Sequence, residues 1–249
     1  MREARRIKQI KGRAYSGVQG ATRKNFCRTY RETLTQIRAK TETQFAAKLS
    51  FLGEKVSCAK GCSYCCFQHI SAPAAHAIAV VDFLYEKEQV LTQFLNNFKS
   101  WQGKAGDLSQ EIDTAYNAAI DPMQTLISGA SGKAFSRSYF KQRIPCPFLV
   151  NSACSIYEIR PICCSAHRSV TPREWCDPAE THDVHTYEAV PGGTDLQKLV
   201  ALAPLRLTLY QVTLPLMVYR MLTQDLADIL AEIDRQFPDM AALTSPFGT

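Results

Sequence analysis

An all-α fold is predicted, a helical scaffold around an irregular, cysteine-rich metal-binding core, and three observations predict it. Apolar residues recur at three- and four-residue steps over long segments. No stretch of any length alternates apolar and polar residues as a half-buried strand would, and there is no internal repeat. Nine of the ten cysteines fall in two short blocks, Cys58–Cys66 and Cys146–Cys176, where Gly and Pro interrupt regular helix.

The domain reading is a basic, flexible arm over residues 1–24 followed by one helical domain over 25–249, with the cysteine core at 56–180. The first helix is expected from about Asn25 to Gly53, on Phe26, Tyr30, Leu34, Ile37, Phe45, Leu49 and Leu52. Gly53 suits its stop, and Cys27 on this helix reads as a buried, inert thiol. Gly61 inside the first block favours a tight turn over helix. A second helix is expected from Pro73 to about Trp101, and a third from Asp107, which can cap with Gln110 at N3. Asp121-Pro122 suits a fresh helix start, Asp at the N-cap and Pro at N1. Residues 128–143 read as loop. Ser155-Ile-Tyr-Glu158 has capping-box spacing, and Thr171-Pro172-Arg-Glu174 repeats it, which would put Cys176 early in a short helix. Residues 177–195 again read as loop, and Asp195–Phe237 as two helical pieces broken around Pro215.

The apolar run Leu199–Tyr219 is interrupted by Pro204, Arg206, Gln211 and Pro215, so it reads as buried helix rather than a membrane span, which needs about 20 mostly apolar residues. No apolar segment follows the charged N-terminus, so no signal peptide is expected. The expected compartment is therefore the cytoplasm. In that reducing setting, clustered thiols point to metal ligands or redox groups rather than to structural disulfides. The net charge is +6, with +10 on residues 1–50 and −4 on the rest. That basic stretch could meet a protein partner or an anionic surface. Nucleic acid is a third candidate partner, although no aromatic platform accompanies the charge.

Thiolates in tetrahedral sets suit zinc or iron–sulfur centres. Cys62 and Cys65 form a C-x-x-C clasp, and Cys58 precedes Cys62 by four. Cys65 and Cys66 are adjacent, and neighbouring side chains diverge by about 100° on a helix and about 180° on a strand. One tetrahedral ion is hard to reach from both. The spacing therefore implies about two metals or one polynuclear centre, completed by Cys146, Cys154, Cys163, Cys164 and Cys176. Lys55, Lys60, Arg143, Arg160 and Arg168 flank the thiols and could offset their charge. Arg160, three residues after Tyr157, could pack with it over the site.

Cys58-x3-Cys62-x2-Cys65-Cys66, Pro145-Cys-Pro-Phe-Leu149, Cys154-Ser-Ile-Tyr-Glu-Ile-Arg-Pro161 and Cys164 together resemble the CxxCxxCC zinc- or iron-chelating cysteine-cluster family. The resemblance implies eight metal ligands: Cys58, Cys62, Cys65, Cys66, Cys146, Cys154, Cys164 and Cys176. It implies zinc or iron as cofactor, an iron–sulfur cluster included, and a mostly helical fold. Some relatives are flagellin lysine methylases that carry this domain, so an enzymatic role enters as the alternative, a metal- or iron–sulfur-dependent oxidoreductase or a methyltransferase-like protein modifier. No Gly-rich nucleotide loop and no nucleophile elbow supports that alternative. Two departures stand out. Ser165 replaces the family's usual basic residue, leaving Cys163 as an extra thiol, and His76 stands where the family often has Glu. A helix-surface position is expected for His76. His69 and His167 are further candidate ligands, and His182 and His185 read as solvated.

Overall fold

A computed structural model describes residues 20–59, 61–118, 139–203, 207–208, 210–236 and 238, and the fold is predominantly helical. The long helices are α1 (Gly20–Leu52), α2 (Ala74–Glu86) and α3 (Glu88–Ala118). Later come α4 (Ile162–Ala166), α5 (Gly193–Val200), α6 (Leu214–Thr223) and α7 (Leu226–Gln236). Six strands of two or three residues pair as three antiparallel ladders. They are β1 (Ser71–Pro73) with β6 (Gln211–Thr213), β2 (Leu149–Val150) with β3 (Ala153–Cys154), and β4 (His167–Ser169) with β5 (Thr186–Glu188).

Helix α2 is the centre. Residues Ala74 to Leu84 are all buried, and α1, α3 and α6 pack around it. Its alanines at 74, 75, 77 and 79 keep the backbone thin, so neighbouring helices approach closely. Val80, Val81, Phe83 and Leu84 fill the gaps between them. Each such side chain contributes about 1.5–3 kcal/mol on full burial. Cys27 is fully buried on α1, its thiol donating weakly to the Ile78 carbonyl at 3.8 Å, as expected of an inert core cysteine. Helix α1 ends at Gly53, whose φ of +69° is the left-handed C-cap conformation that glycine adopts without strain.

Several boundaries differ from the periodic pattern. Helix α1 begins at Gly20, inside the segment expected to be a flexible arm; residues 1–19 and the Asp121-Pro122 start lie outside the described residues. The second helix breaks at Lys87 rather than near Trp101. Lys87, at a bend that no Gly or Pro announces, lies 4.4 Å over the Phe83 ring and pairs with Glu158 at 2.9 Å. Asp107 caps nothing, because α3 runs straight through it. Pro215 opens α6 within its first turn rather than breaking a helix, and the residues just before it form β6. The 177–195 loop contains β5 and the start of α5. Among the described residues no helix is long and apolar enough to cross a membrane.

Strand β6 is held to α3 by one carboxylate. Asp113 accepts the Thr213 amide at 2.7 and 2.8 Å and the Thr213 hydroxyl at 2.8 Å. Burial pushes its pKa up to about 7, against the pull of those donors and of Arg220. The folded state thus keeps a proton that the unfolded chain, near 3.8, has lost. The stability this contributes is complete below the unfolded value and disappears as pH rises through about 7. Between pH 5 and 8, the free energy of unfolding should fall by on the order of 3 kcal/mol from this group. Asp113→Asn should flatten that slope in denaturant titrations. An unchanged slope would show that Asp113 is ionised in the fold.

Candidate metal centre

The first block is shaped by a turn and a tie. Gly61 takes φ +91°, and Cys62 closes onto the Ala59 carbonyl at 3.0 Å. Tyr64–Phe67 then forms a 3₁₀ turn, in which successive side chains are about 120° apart. Cys65 and Cys66 leave the backbone in different directions, yet their sulfurs stay within hydrogen-bonding reach of each other. The Cys66 carbonyl accepts the Cys146 amide at 2.7 Å, joining the two blocks by main chain. At the other end, the Ser57 amide donates to the Ser169 carbonyl at 2.8 Å, and the Ser169 amide donates to the Cys58 sulfur at 3.3 Å.

The second block is pinned from α3. Phe148 stacks on Phe94, centroids 4.5 Å apart, and Asn97 donates to the Pro147 carbonyl at 3.1 Å. Asn151 and Ser152, with φ of +49° and +59°, make the two-residue turn of the β2–β3 hairpin. That conformation is the one that fits strand twist. The hairpin pairs Cys154 with Leu149, which itself donates to the Cys146 carbonyl at 2.9 Å, so Cys154 returns beside Cys146. Short turns at Tyr157–Ile159 and Arg173–Cys176 follow. Both lie where capping boxes were expected, but neither has a side-chain cap, and Cys176 ends its turn rather than beginning a helix.

The thiols gather into two groups that share a border. A cavity of about 30 Å³ is lined by Cys65, Cys66, Cys146, Cys154 and Cys164, with Arg160 at its edge. Burial pushes the Cys146 thiol up to about 12, and the Cys154 and Cys65 sulfurs add to the shift. Burial also raises Cys154. In the second group, Cys62 is raised by burial and by Cys58 and Cys65. Cys176 is raised by burial and by Cys58, Cys62 and Cys65. Cys65 borders both groups. Cys66 donates a hydrogen bond from its thiol to Cys65, which lowers Cys65 and raises Cys66. Cys164 does the same for Cys163, lowering Cys163 and rising itself. Cys163 is the exposed thiol and bonds the Ser71 carbonyl at 3.2 Å.

All ten cysteines are free thiols. Among the described residues no three Cys, His, Asp or Glu side chains stand in a closed metal-coordinating arrangement. The donor chemistry nevertheless fits a thiophilic cation. The buried thiols resist ionisation because burial disfavours the thiolate and, less strongly, because each thiolate would face others; a cation offsets both. Arg160 lies 4.1 Å over the Tyr157 ring beside this cluster, in the stacked arrangement anticipated for the pair, and its charge lowers Cys65 and Cys154. Arg143 and Arg168 are paired instead with Asp177 at 3.1 Å and Glu42 at 2.6 Å. Lys60 lies outside the described residues.

The histidines are engaged elsewhere. His69 Nε2 meets the Thr213 hydroxyl at 2.7 Å and its Nδ1 meets Ser71 at 3.3 Å. Burial lowers its pKa to about 4, so the ring is neutral and held in that network. His167 is exposed on β4 and faces Glu188 at 3.9 Å. His182 and His185 are exposed, and His182 stacks on Trp175 at 4.5 Å. His76 is not on the helix surface. It is 2% exposed, its Nδ1 against the Tyr30 hydroxyl at 3.3 Å, its Nε2 facing the Ile159 backbone without a hydrogen bond of ordinary geometry. Every face of α2 is covered along Ala74–Leu84, so no surface is left for it. Periodicity could not find Arg38 either. From α1 it donates to the Tyr157 and Glu158 carbonyls at 3.3 and 3.1 Å, bracing the turn before Cys163 from 119 residues away.

No curated protein and no solved structure matches the chain. One family does, CxxCxxCC, described as a proposed zinc- or iron-chelating domain, over residues 57–187, which is more than half the chain and contains both cysteine blocks. The chain is thus a member of the CxxCxxCC family.

Proposed function

We propose that this chain is a cytoplasmic metal-binding protein in which eight thiolates hold about two zinc or iron ions, or one polynuclear centre such as an iron–sulfur cluster. The observation that carries the proposal is the position of Cys65 at the border of two groups of thiols, with Cys66 beside it in the inner one. On this reading Cys58, Cys62, Cys65 and Cys176 form one set of four. Cys66, Cys146, Cys154 and Cys164 form the other, and Cys163 stays outside as the exposed thiol.

A bound cation would keep its thiolates deprotonated and cross-link segments about 100 residues apart in sequence. The residues do the rest. The Ser169 amide donates to the Cys58 sulfur, and Arg160 supplies positive charge beside Cys65 and Cys154. Phe148 and Ile156 close the inner set with apolar surface. The basic residues 1–50 remain the segment suited to a protein partner or an anionic surface.

Protein purified without oxygen should contain about two zinc ions and be colourless, or about four irons and be brown. Less than about one metal per chain in elemental analysis would refute the proposal. Single substitutions test the partition. Cys62→Ser and Cys154→Ser should each remove about half of the metal of a two-ion protein, from different sites. Cys66→Ser should also lower the melting temperature by several degrees, since cross-linking metals contribute folding energy. If Cys66→Ser keeps full metal content and stability, the two-set arrangement is wrong.

A further inference from the structure

A cleft lies on the far side of Arg160 from the thiol cavity. It measures about 390 Å³ and separates α1 from the cysteine module. That volume is in the range of small-molecule pockets, about 300–1,000 Å³. Three guanidinium groups face it: Arg38 from α1, Arg160 after the Tyr157–Ile159 turn, and Arg168 from β4. Two carboxylates also line it. Glu158 is already neutralised by Lys87 at 2.9 Å, and Glu42 holds Arg168 at 2.6 Å.

The guanidinium groups are fixed but not saturated. Arg38 bonds two main-chain carbonyls through Nη1. Arg160 lies on the Tyr157 ring and meets its hydroxyl through Nη2 at 3.4 Å, while its buried Nε has no partner. Arg168 is anchored through Nε to the Ser165 carbonyl at 2.8 Å. Guanidinium presents five N–H donors in a rigid fork that matches carboxylate and phosphate oxygens. The hydroxyls of Thr35, Thr41 and Ser165 already donate to main-chain carbonyls, which leaves recognition to the arginines. Their mutual proximity is costly: burial first, then the charges of Arg160 and Arg168, pull the Arg38 pKa below its ordinary value. An anion between them removes that repulsion.

We propose that this cleft binds a small-molecule oxyanion, a phosphate ester or a carboxylic acid, held by Arg38, Arg160 and Arg168 beside the thiol cluster. The competing explanation is that the arginines only offset thiolate charge. The two differ in what Glu42 does. It competes with a ligand for Arg168 but touches no cysteine, so its removal should strengthen anion binding.

Isothermal titration of the full-length, metal-analysed protein with inorganic phosphate, glycerol phosphate and succinate separates the ligand classes and tests the site. Saturable binding of at least one is expected, weakening as salt rises. Arg168→Ala should weaken it by about ten-fold and Glu42→Gln should tighten it by about three-fold. Both should keep the wild-type helical circular dichroism. If Arg168→Ala loses fold or metal, Glu42→Gln alone decides. No saturable binding of any of the three at roughly 10 mM, or affinities unchanged in Glu42→Gln and in a folded Arg168→Ala, would overturn the proposal. Metal content is read separately, so failure here leaves the metal assignment standing.

Discussion

One main-chain hydrogen bond sets the geometry on which the cluster depends. The Cys146 amide donates to the Cys66 carbonyl at 2.7 Å, between residues 80 positions apart. Closing so long a segment has an entropic cost that a single bond, with a net contribution of about 1 kcal/mol, cannot offset. The bond survives because both of its ends are already fixed. Phe94 and Asn97 of α3 hold Phe148 and Pro147, and the 3₁₀ turn holds Cys66. The helical scaffold therefore comes first in the physical argument, and the gathered thiols are its consequence.

Apolar burial does not explain why thiols should be gathered at all. Packed together, they are pushed toward the neutral form by burial and by one another, as at Cys146 and Cys154. The chain answers with internal donors: Cys66 to Cys65, Cys164 to Cys163, and the Ser169 amide to Cys58. Arg160 adds a charge on the cavity edge. These partners lower the cost of a thiolate at chosen positions without supplying a cation. A cation entering the cluster must displace the remaining thiol protons, so its binding should strengthen as pH rises.

The parts of this arrangement that were legible in the sequence are those with local causes. The periodic apolar face of α1, its stop at Gly53 and the turn at Gly61 follow from residue geometry alone. The all-helical class followed from the period, and the short ladders were invisible because two or three residues cannot display alternation. The β2–β3 turn was missed because Asn151-Ser152 lacks the glycine that usually marks a turn with two positive φ values. The bend at Lys87 carries no Gly or Pro signal, and its partners are one local ring, Phe83, and one distant carboxylate, Glu158. The surface position expected for His76 does not exist, because α2 is buried along nearly its whole length. The two cysteine blocks are legible in the spacing, while the choice of eight within them follows only from the resemblance. Which thiols neighbour which depends on the fold, since Cys146, Cys154 and Cys164 reach Cys65 and Cys66 only through tertiary contacts.

That turn also limits how the site can be built. In an α-helix, Cys62, Cys65 and Cys66 would share one face, at i, i+3 and i+4. They would then crowd into a single set and leave Cys146 and Cys154 opposite nothing. The break after Gly61 and the tighter 3₁₀ winding prevent this. Cys62 stays with Cys58 and Cys176, while Cys66 turns toward the hairpin. The irregular backbone of the core is thus the means by which one short segment serves two neighbourhoods. A more regular helix in the same place would be the better local structure and would leave the second block without its neighbours.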